Sequence, residues 1–210
     1  MRKFTTIILL FGIFYSLLSK IQAQNADFKL LKSINSANKT VSASKFISKT
    51  TIATSLLVPT TLATTALITH NDEMLKNALY IGATFGATTI FTYSLKYAAN
   101  RQRPYETYPD DIIAYNIENS ASFPSGHTSI AFATATSLSL SYPKWYIIAP
   151  SYAWACTVGY SRMNLGVHYP SDVLAGALLG AGSAWLTYEA NKWFWKKQEN
   201  KKLLTLQTYL

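Results

Sequence analysis

The chain's 210 residues are enough for one compact domain with a sizeable core and too few for two ordinary ones. Its composition is 49% hydrophobic and only 14% charged, against about 25% charged in an average soluble protein, which favours contact with lipid. The formal net charge of +9 does not read as a nucleic-acid footprint, because the lysines gather in two flanking segments, 29–49 and 192–202, with no basic face interleaved with aromatics. Those flanks suit either a membrane surface of anionic headgroups or a solubilising tail. The lone Cys156 excludes an intramolecular disulfide and a thiolate metal cluster, and it is expected to pack as a small buried hydrophobe in the apolar run 145–160.

In chain order, residues 1–23 carry the regions of a secretory signal: basic Arg2 and Lys3, an apolar run, and Ala23 as the last residue removed. Ile21 is larger than the small residue preferred three back from a cut, so an uncleaved first spanning helix is the alternative. Residues 24–50 place Phe28, Leu31 and Ile34 at three-residue spacing among lysines, the pattern of an amphipathic helix in the headgroup layer or of a surface helix on the core.

Apolar segments follow at 51–69, 77–95, 128–142, 145–160 and 173–188. Each is near the lower limit for crossing a bilayer, which takes about 20 residues. They are rich in Ala, Gly, Ser and Thr, and the pairs Gly82/Gly86 and Gly176/Gly180 predict close helix approach, as a bundle in lipid requires. The short turns at 70–76 and 143–144 fall on one side of such a bundle, while the stretches 105–123 and 162–171 fall on the other. His70 lies in the first of these turns and is expected to cap it. The stretch 105–123 is expected to be a solvated loop, with a lid as the alternative. Residues 192–210 form a basic tail.

Three motifs cluster on that second side. Lys96 and Arg103, in Lys96-x6-Arg103-Pro104, are close to two helical turns apart and project from one face, with Pro104 marking the helix exit. Pro124-Ser125-Gly126-His127 opens an apolar helix, whose free N–H groups suit an anion. Gly126 permits close approach, Ser125 offers a hydroxyl, and His127 sits in the first turn where it could hold a proton for a leaving oxygen. Ser161-Arg162-x5-His168-x3-Asp172 supplies a guanidinium able to fork onto two oxygens and an imidazole four residues from a carboxylate, which would fix one ring nitrogen as a neutral nucleophile. Taken singly, each also has a plainer reading as snorkelling, dipole pairing or capping.

Together, over residues 96–182, the three motifs resemble the signature of the type 2 phosphatidic acid phosphatase superfamily, which also holds bacterial acid phosphatases and vanadium haloperoxidases, and no defining position departs from it. The resemblance implies an all-α fold, a bundle of about five or six mostly membrane-spanning helices, with the phosphatase domain over 51–191. It further implies a phosphatase that uses no metal or other cofactor and works through phosphohistidine, with His168 as nucleophile, Asp172 orienting it and His127 as acid and then base. Lys96, Arg103, Ser125, Gly126 and Arg162 would hold the phosphate oxygens. The expected substrate is a lipid phosphate or diphosphate met on the periplasmic side of a bacterial inner membrane. Membrane lipids are the expected surroundings, and neither nucleic acid nor an obligatory protein partner is indicated. A soluble periplasmic acid phosphatase is the nearest alternative, followed by a haloperoxidase and a silent membrane scaffold.

Overall fold

The computed structural model describes residues 24–36 and 40–208, so the expected secretory signal over residues 1–23 lies outside the described part. All regular structure among the described residues is helical. A short helix, α1 (Gln24–Asn35), precedes the long helices α2 (Val41–Thr69), α3 (Asp72–Ala99), α5 (Gly126–Ser141), α6 (Trp145–Asn164) and α7 (Pro170–Thr208), with the single turn α4 (Pro104–Thr107) between α3 and α5. Each apolar segment expected from sequence forms the body of one long helix. The expected boundary at residue 50 falls inside α2, and the basic tail continues α7 instead of leaving it.

The helix ends follow local chemistry. His70 closes α2 in the left-handed region at φ 53°, and Asn71 then caps α3 by accepting from the Met74 amide at 2.9 Å. Asn100, at φ 41°, ends α3 in the same way, and Pro104 starts α4.

The bundle is built inside out relative to a soluble protein. On α2 the buried residues are Ser44, Ser48, Thr51, Ser55, Pro59 and Ala66, while Leu56, Leu57, Leu67 and Ile68 are exposed. On α3 the buried stripe Thr84, Thr88, Thr92 and Lys96 contrasts with exposed Leu79, Ile90 and Phe91. Water would penalise that outer face, whereas lipid solvates it, and small residues inside let backbones approach. By length and composition α2 can cross a membrane. From Ser48, two turns inside α2, to His70 at its far end the helix runs about 33 Å at 1.5 Å per residue, matching a hydrocarbon core of about 30 Å.

Cys156 is exposed on this outer face. The expectation that it packs in the core fails because Ala155, Val158 and Gly159 already occupy the inward face of α6. Several hydroxyls inside the bundle bond to their own helix, as Thr84 does to the Tyr80 carbonyl at 2.9 Å, while those of Ser55, Thr88, Thr92 and Ser183 have no partner among the described residues. A few cross between helices: Tyr80 donates to the Ala184 carbonyl at 2.8 Å, and Thr84 meets Thr187 at 2.6 Å. Such bonds contribute about 0.6 kcal/mol each within a membrane.

The short helix α5 is the centre of the bundle, with α2, α3, α6 and α7 packed around it. Its contact with α7 depends on Gly176 and Gly180. A Cβ at Gly180 would stand 2.1 Å from the Ser129 carbonyl oxygen, and one at Gly176 would stand 2.7 Å from that of Ser125. The other predicted pair does not act this way. A Cβ at Gly82 would only reach Pro59 at 4.0 Å, and one at Gly86 would meet nothing within 4 Å.

One end of the bundle is covered by α1 and the connection 100–125. Leu31 is buried against Ile112 and Tyr169, and Phe28 stacks on Tyr108 with centroids 4.3 Å apart. Asn164 donates to the Ile34 carbonyl at 3.0 Å, and Asn35 donates to the Ile113 and Asn164 carbonyls, both at 3.0 Å. Helix α1 is therefore a packed cover whose inner face meets protein, and the connection is solvated only on its outside.

Gly180→Ala is expected to destabilise the protein by about 1–3 kcal/mol through overpacking. Gly86→Ala should be neutral or stabilising by up to about 1 kcal/mol, since alanine is the better helix former. Thermal unfolding of both variants in detergent checks the difference.

Candidate active site

Alternation of helix direction gathers the three motifs at the covered end. The last turns of α3 and α6 deliver Lys96 and Arg162, the first turns of α5 and α7 deliver His127 and Asp172, and the connections supply Arg103 and His168. The Ser125 amide donates to the Asp172 carbonyl at 3.0 Å, which joins the starts of α5 and α7.

The three cations are deeply buried, with Lys96 at 7%, Arg103 at 1% and Arg162 at 0% exposure. Each has a partner. Lys96 Nζ donates to the Ala121 carbonyl. Arg103 donates through Nε to the Ser120 carbonyl at 2.8 Å and through Nη1 to the Val167 carbonyl at 2.8 Å. Arg162 donates to Ser48 Oγ and, through Nη2, to Glu118 Oε1 at 2.5 Å, while its buried Nε has no partner among the described residues. Ser125 shares a hydrogen bond with Thr128 Oγ1 at 2.9 Å. Gly126 is not required by packing, since a Cβ there would meet only Thr92 at 3.6 Å and Lys96 at 3.8 Å. Its amide, in the first turn of α5, belongs to the group that has no acceptor within the helix.

His168 is held between two charges of opposite sign. Its Nδ1 is 3.5 Å from Asp172 Oδ2, with no closer partner among the described residues, and Arg103 Nη1 is 3.4 Å from Nε2. A guanidinium can only donate, so Nε2 must present its lone pair, and the ring proton belongs on Nδ1, facing the carboxylate. Burial keeps the ring neutral by lowering its pKa to about 3, against the opposing pull of Asp172. The result is a desolvated, neutral imidazole whose Nε2 lone pair faces the Arg103 guanidinium.

Several side chains in this arrangement were not identified from the motifs. Arg101 Nη1 donates to Asp172 Oδ1 at 2.7 Å, and Ser122 Oγ donates to Oδ2 at 2.6 Å, so the carboxylate is fixed from both sides. Arg101 Nη2 in turn pairs with Asp27 of α1 at 3.2 Å, and Asp27 also accepts from the Ser171 amide at 3.0 Å. Glu118 is the fourth. Burial pushes its carboxyl pKa up, but the Arg162 guanidinium and the other nearby cations outweigh this and hold it below the ordinary carboxylate value. The position of Arg101 inside the first motif and the four acids of 105–123 were the available signals, but neither specifies a partner.

Two cavities border residues of the site. One, of about 560 Å³, is lined by Tyr93, Lys96, Tyr97 and Asn100 of the α3 end and by Ser120 and Ala121. The other, of about 390 Å³, includes Lys45, Lys49, Tyr115, Glu118, His127 and Arg162. His127 therefore borders the second cavity. Among the described residues, no three His, Cys, Asp or Glu side chains converge as a metal site would need.

The model of the PAP2 superfamily matches residues 77–196, more than half of the chain and all of the motif residues. The chain belongs to the PAP2 superfamily. It is 36% identical over 94 residues to an undecaprenyl-diphosphatase of Sulfolobus acidocaldarius, a match covering 45% of each chain. It is 39% identical over 66 residues to a lipid A 4'-phosphatase of Bacteroides thetaiotaomicron, covering 31% of this chain and 29% of that one. The chain thus spans less than half the length of these curated relatives. The fold matches the crystal structure of a transmembrane PAP2-type phosphatidylglycerolphosphate phosphatase from Bacillus subtilis, with a TM-score of 0.71 and 24% identity, over 91% of this chain and 97% of that one. The all-α membrane bundle expected from sequence is therefore the family's fold.

The neutral state of His168 has a consequence for stability. In the unfolded chain an imidazole takes its proton near pH 6.5, while in the fold this ring stays neutral down to about 3. Across that window the unfolded state binds the extra proton, so folding stability should fall as pH falls from about 6.5 towards about 3. Melting temperatures measured across it should decline more steeply for the native chain than for His168→Asn, which cannot titrate.

Proposed function

We propose that this protein is a phosphatase that hydrolyses a lipid phosphate or diphosphate without a metal ion, through a phosphohistidine. The observation that carries the reading is the orientation of His168, with Nδ1 towards Asp172 at 3.5 Å and Nε2 towards Arg103 at 3.4 Å among three buried cations. That is a nucleophile placed beside donors suited to phosphate oxygens.

In this reading Nε2 of His168 attacks phosphorus, and the charge that develops on the ring is shared with Asp172, itself held by Arg101 and Ser122. Lys96, Arg103 and Arg162 hold the equatorial oxygens together with the Ser125 hydroxyl and the Gly126 amide, stabilising the crowded transition state electrostatically. Their present acceptors are neutral carbonyls and hydroxyls apart from Glu118, so an incoming phosphate exchanges weak partners for a charged one. His127 protonates the leaving oxygen and then takes a proton from the water that cleaves the phosphoenzyme.

The relatives named as lipid phosphatases and the lipid-compatible outer face both support a lipid substrate. They favour it over the soluble acid phosphatase reading, because exposed Leu56, Leu57, Leu67 and Ile68 would be a liability in water. Arg2 and Lys3 and the lysines beyond Tyr188 support a cytoplasmic location for the end opposite the site, by the positive-inside rule, and hence a periplasmic site in a bacterial inner membrane. The lysines of residues 29–49 run against that rule.

His168→Ala should abolish turnover on every substrate, because no covalent step can begin. His127→Ala should retain more activity on p-nitrophenyl phosphate than on a lipid monoester, since an acidic leaving oxygen needs no proton. It should also accumulate an acid-labile phosphohistidine that rapid quenching at alkaline pH detects. Equal residual rates on all substrates with no trapped phosphate in either variant would overturn the assignment.

Activity should survive EDTA and should be inhibited by vanadate, which adopts the five-coordinate geometry of the transition state. Loss in EDTA with recovery on adding Mg²⁺ or Zn²⁺ would overturn the metal-free mechanism.

A further inference from the structure

In-line displacement requires the attacking nitrogen and the leaving oxygen to lie on opposite sides of phosphorus. On the reading above, His168 stands on one side and His127 on the other. The part of the substrate that departs then occupies the cavity bordered by His127, the one of about 390 Å³ that Lys45 and Lys49 also line. Its size lies within the range of about 300–1,000 Å³ usual for ligand pockets.

The charge in that cavity is unbalanced. Arg162 and Glu118 pair at 2.5 Å and largely cancel. Lys45 and Lys49, one turn apart on α2, have no carboxylate partner among the described residues. The Lys45 ammonium stands 6.0 Å above the Tyr115 ring, which limits where it can roam. An alcohol leaving group carries charge only transiently, at the oxygen that His127 protonates, whereas a leaving group that is itself a phosphate carries a standing negative charge for two ammonium groups to hold. Both lysines lie on α2, outside the residues 77–196 matched by the family.

We propose that Lys45 and Lys49 form a second anion subsite, which makes the chain selective for substrates whose leaving group carries its own phosphate. This rests on the phosphatase reading. The step balances as follows: the Nε2–P bond forms, the bridging P–O bond breaks, and its electron pair leaves on the bridging oxygen of the departing monophosphate. That oxygen takes the His127 proton, and the remaining oxygens of the departing phosphate lie in the cavity that the lysines line. The phosphohistidine is then cleaved by water.

The test uses the full chain in neutral detergent, with farnesyl diphosphate and farnesyl monophosphate as probes in identical micelles. The native chain should prefer the diphosphate, and the ratio of kcat/KM for diphosphate over monophosphate should fall about tenfold in the double variant Lys45→Gln/Lys49→Gln, as expected for losing paired charge on one substrate only. Lys45→Arg/Lys49→Arg should keep the ratio, which separates charge from folding. An unchanged ratio in the glutamine variant overturns the subsite, including the case in which both activities fall together because the lysines only touch membrane headgroups. A native preference for the monophosphate also overturns it. No phosphate release from either probe by the native chain would overturn the phosphatase reading as well, so the two failures are distinguishable.

Discussion

Three buried cations on one end of a helical bundle are the constraint to which much of the surrounding structure answers. Lys96, Arg103 and Arg162 repel one another, and each would be costly to bury without partners, by several kilocalories per mole in real proteins. The connection 100–125 resolves this by presenting the Ser120 and Ala121 carbonyls and the Glu118 carboxylate inward. The cover must be tightly placed to do so, and the polar knot between Asn35 and Asn164 and the pairing of Asp27 with Arg101 hold it in place. Donors that have been desolvated and fixed in this way need little rearrangement to stabilise a transition state.

The bundle below supplies the rigidity. Because α5 and α7 approach through Gly176 and Gly180, the starts of these two helices are in direct backbone contact, and His127 and Asp172 ride on them. The outer surface is left apolar and the inner one hydroxylic, so the same packing that aligns the site also fits the protein to lipid.

The sequence made most of this legible where the information is local. Helix bodies follow from apolar runs, and the candidate cradle and the two histidines stand out once the three motifs are taken together, each with its own short spacing. What escaped depends on partners distant in the chain. Glu118 looks like an ordinary loop acid until α6 places Arg162 opposite it, and Arg101 looks like a spare cation until α7 brings up Asp172. Ser122 and Asp27 are invisible for the same reason. Cys156 and the Gly82/Gly86 pair fail differently. In an inside-out bundle hydrophobicity does not tell which face is buried, and a glycine spacing does not say whether a neighbouring helix is present.

The contact between Glu118 and Arg162 means that the cradle is never simply vacant of negative charge. The carboxylate is tethered to the connection, so its local concentration is set by geometry and not by the surrounding solution, reaching the millimolar range typical of short tethers. On the proposed reading, an arriving phosphoryl group competes with this resident anion, and a departing inorganic phosphate is replaced by it. Every ligand that displaces Glu118 carries the same penalty, so free phosphate is held weakly while ligands with additional contacts offset the penalty through those contacts. On that reading, how weakly free phosphate is held is set by where one side chain is attached.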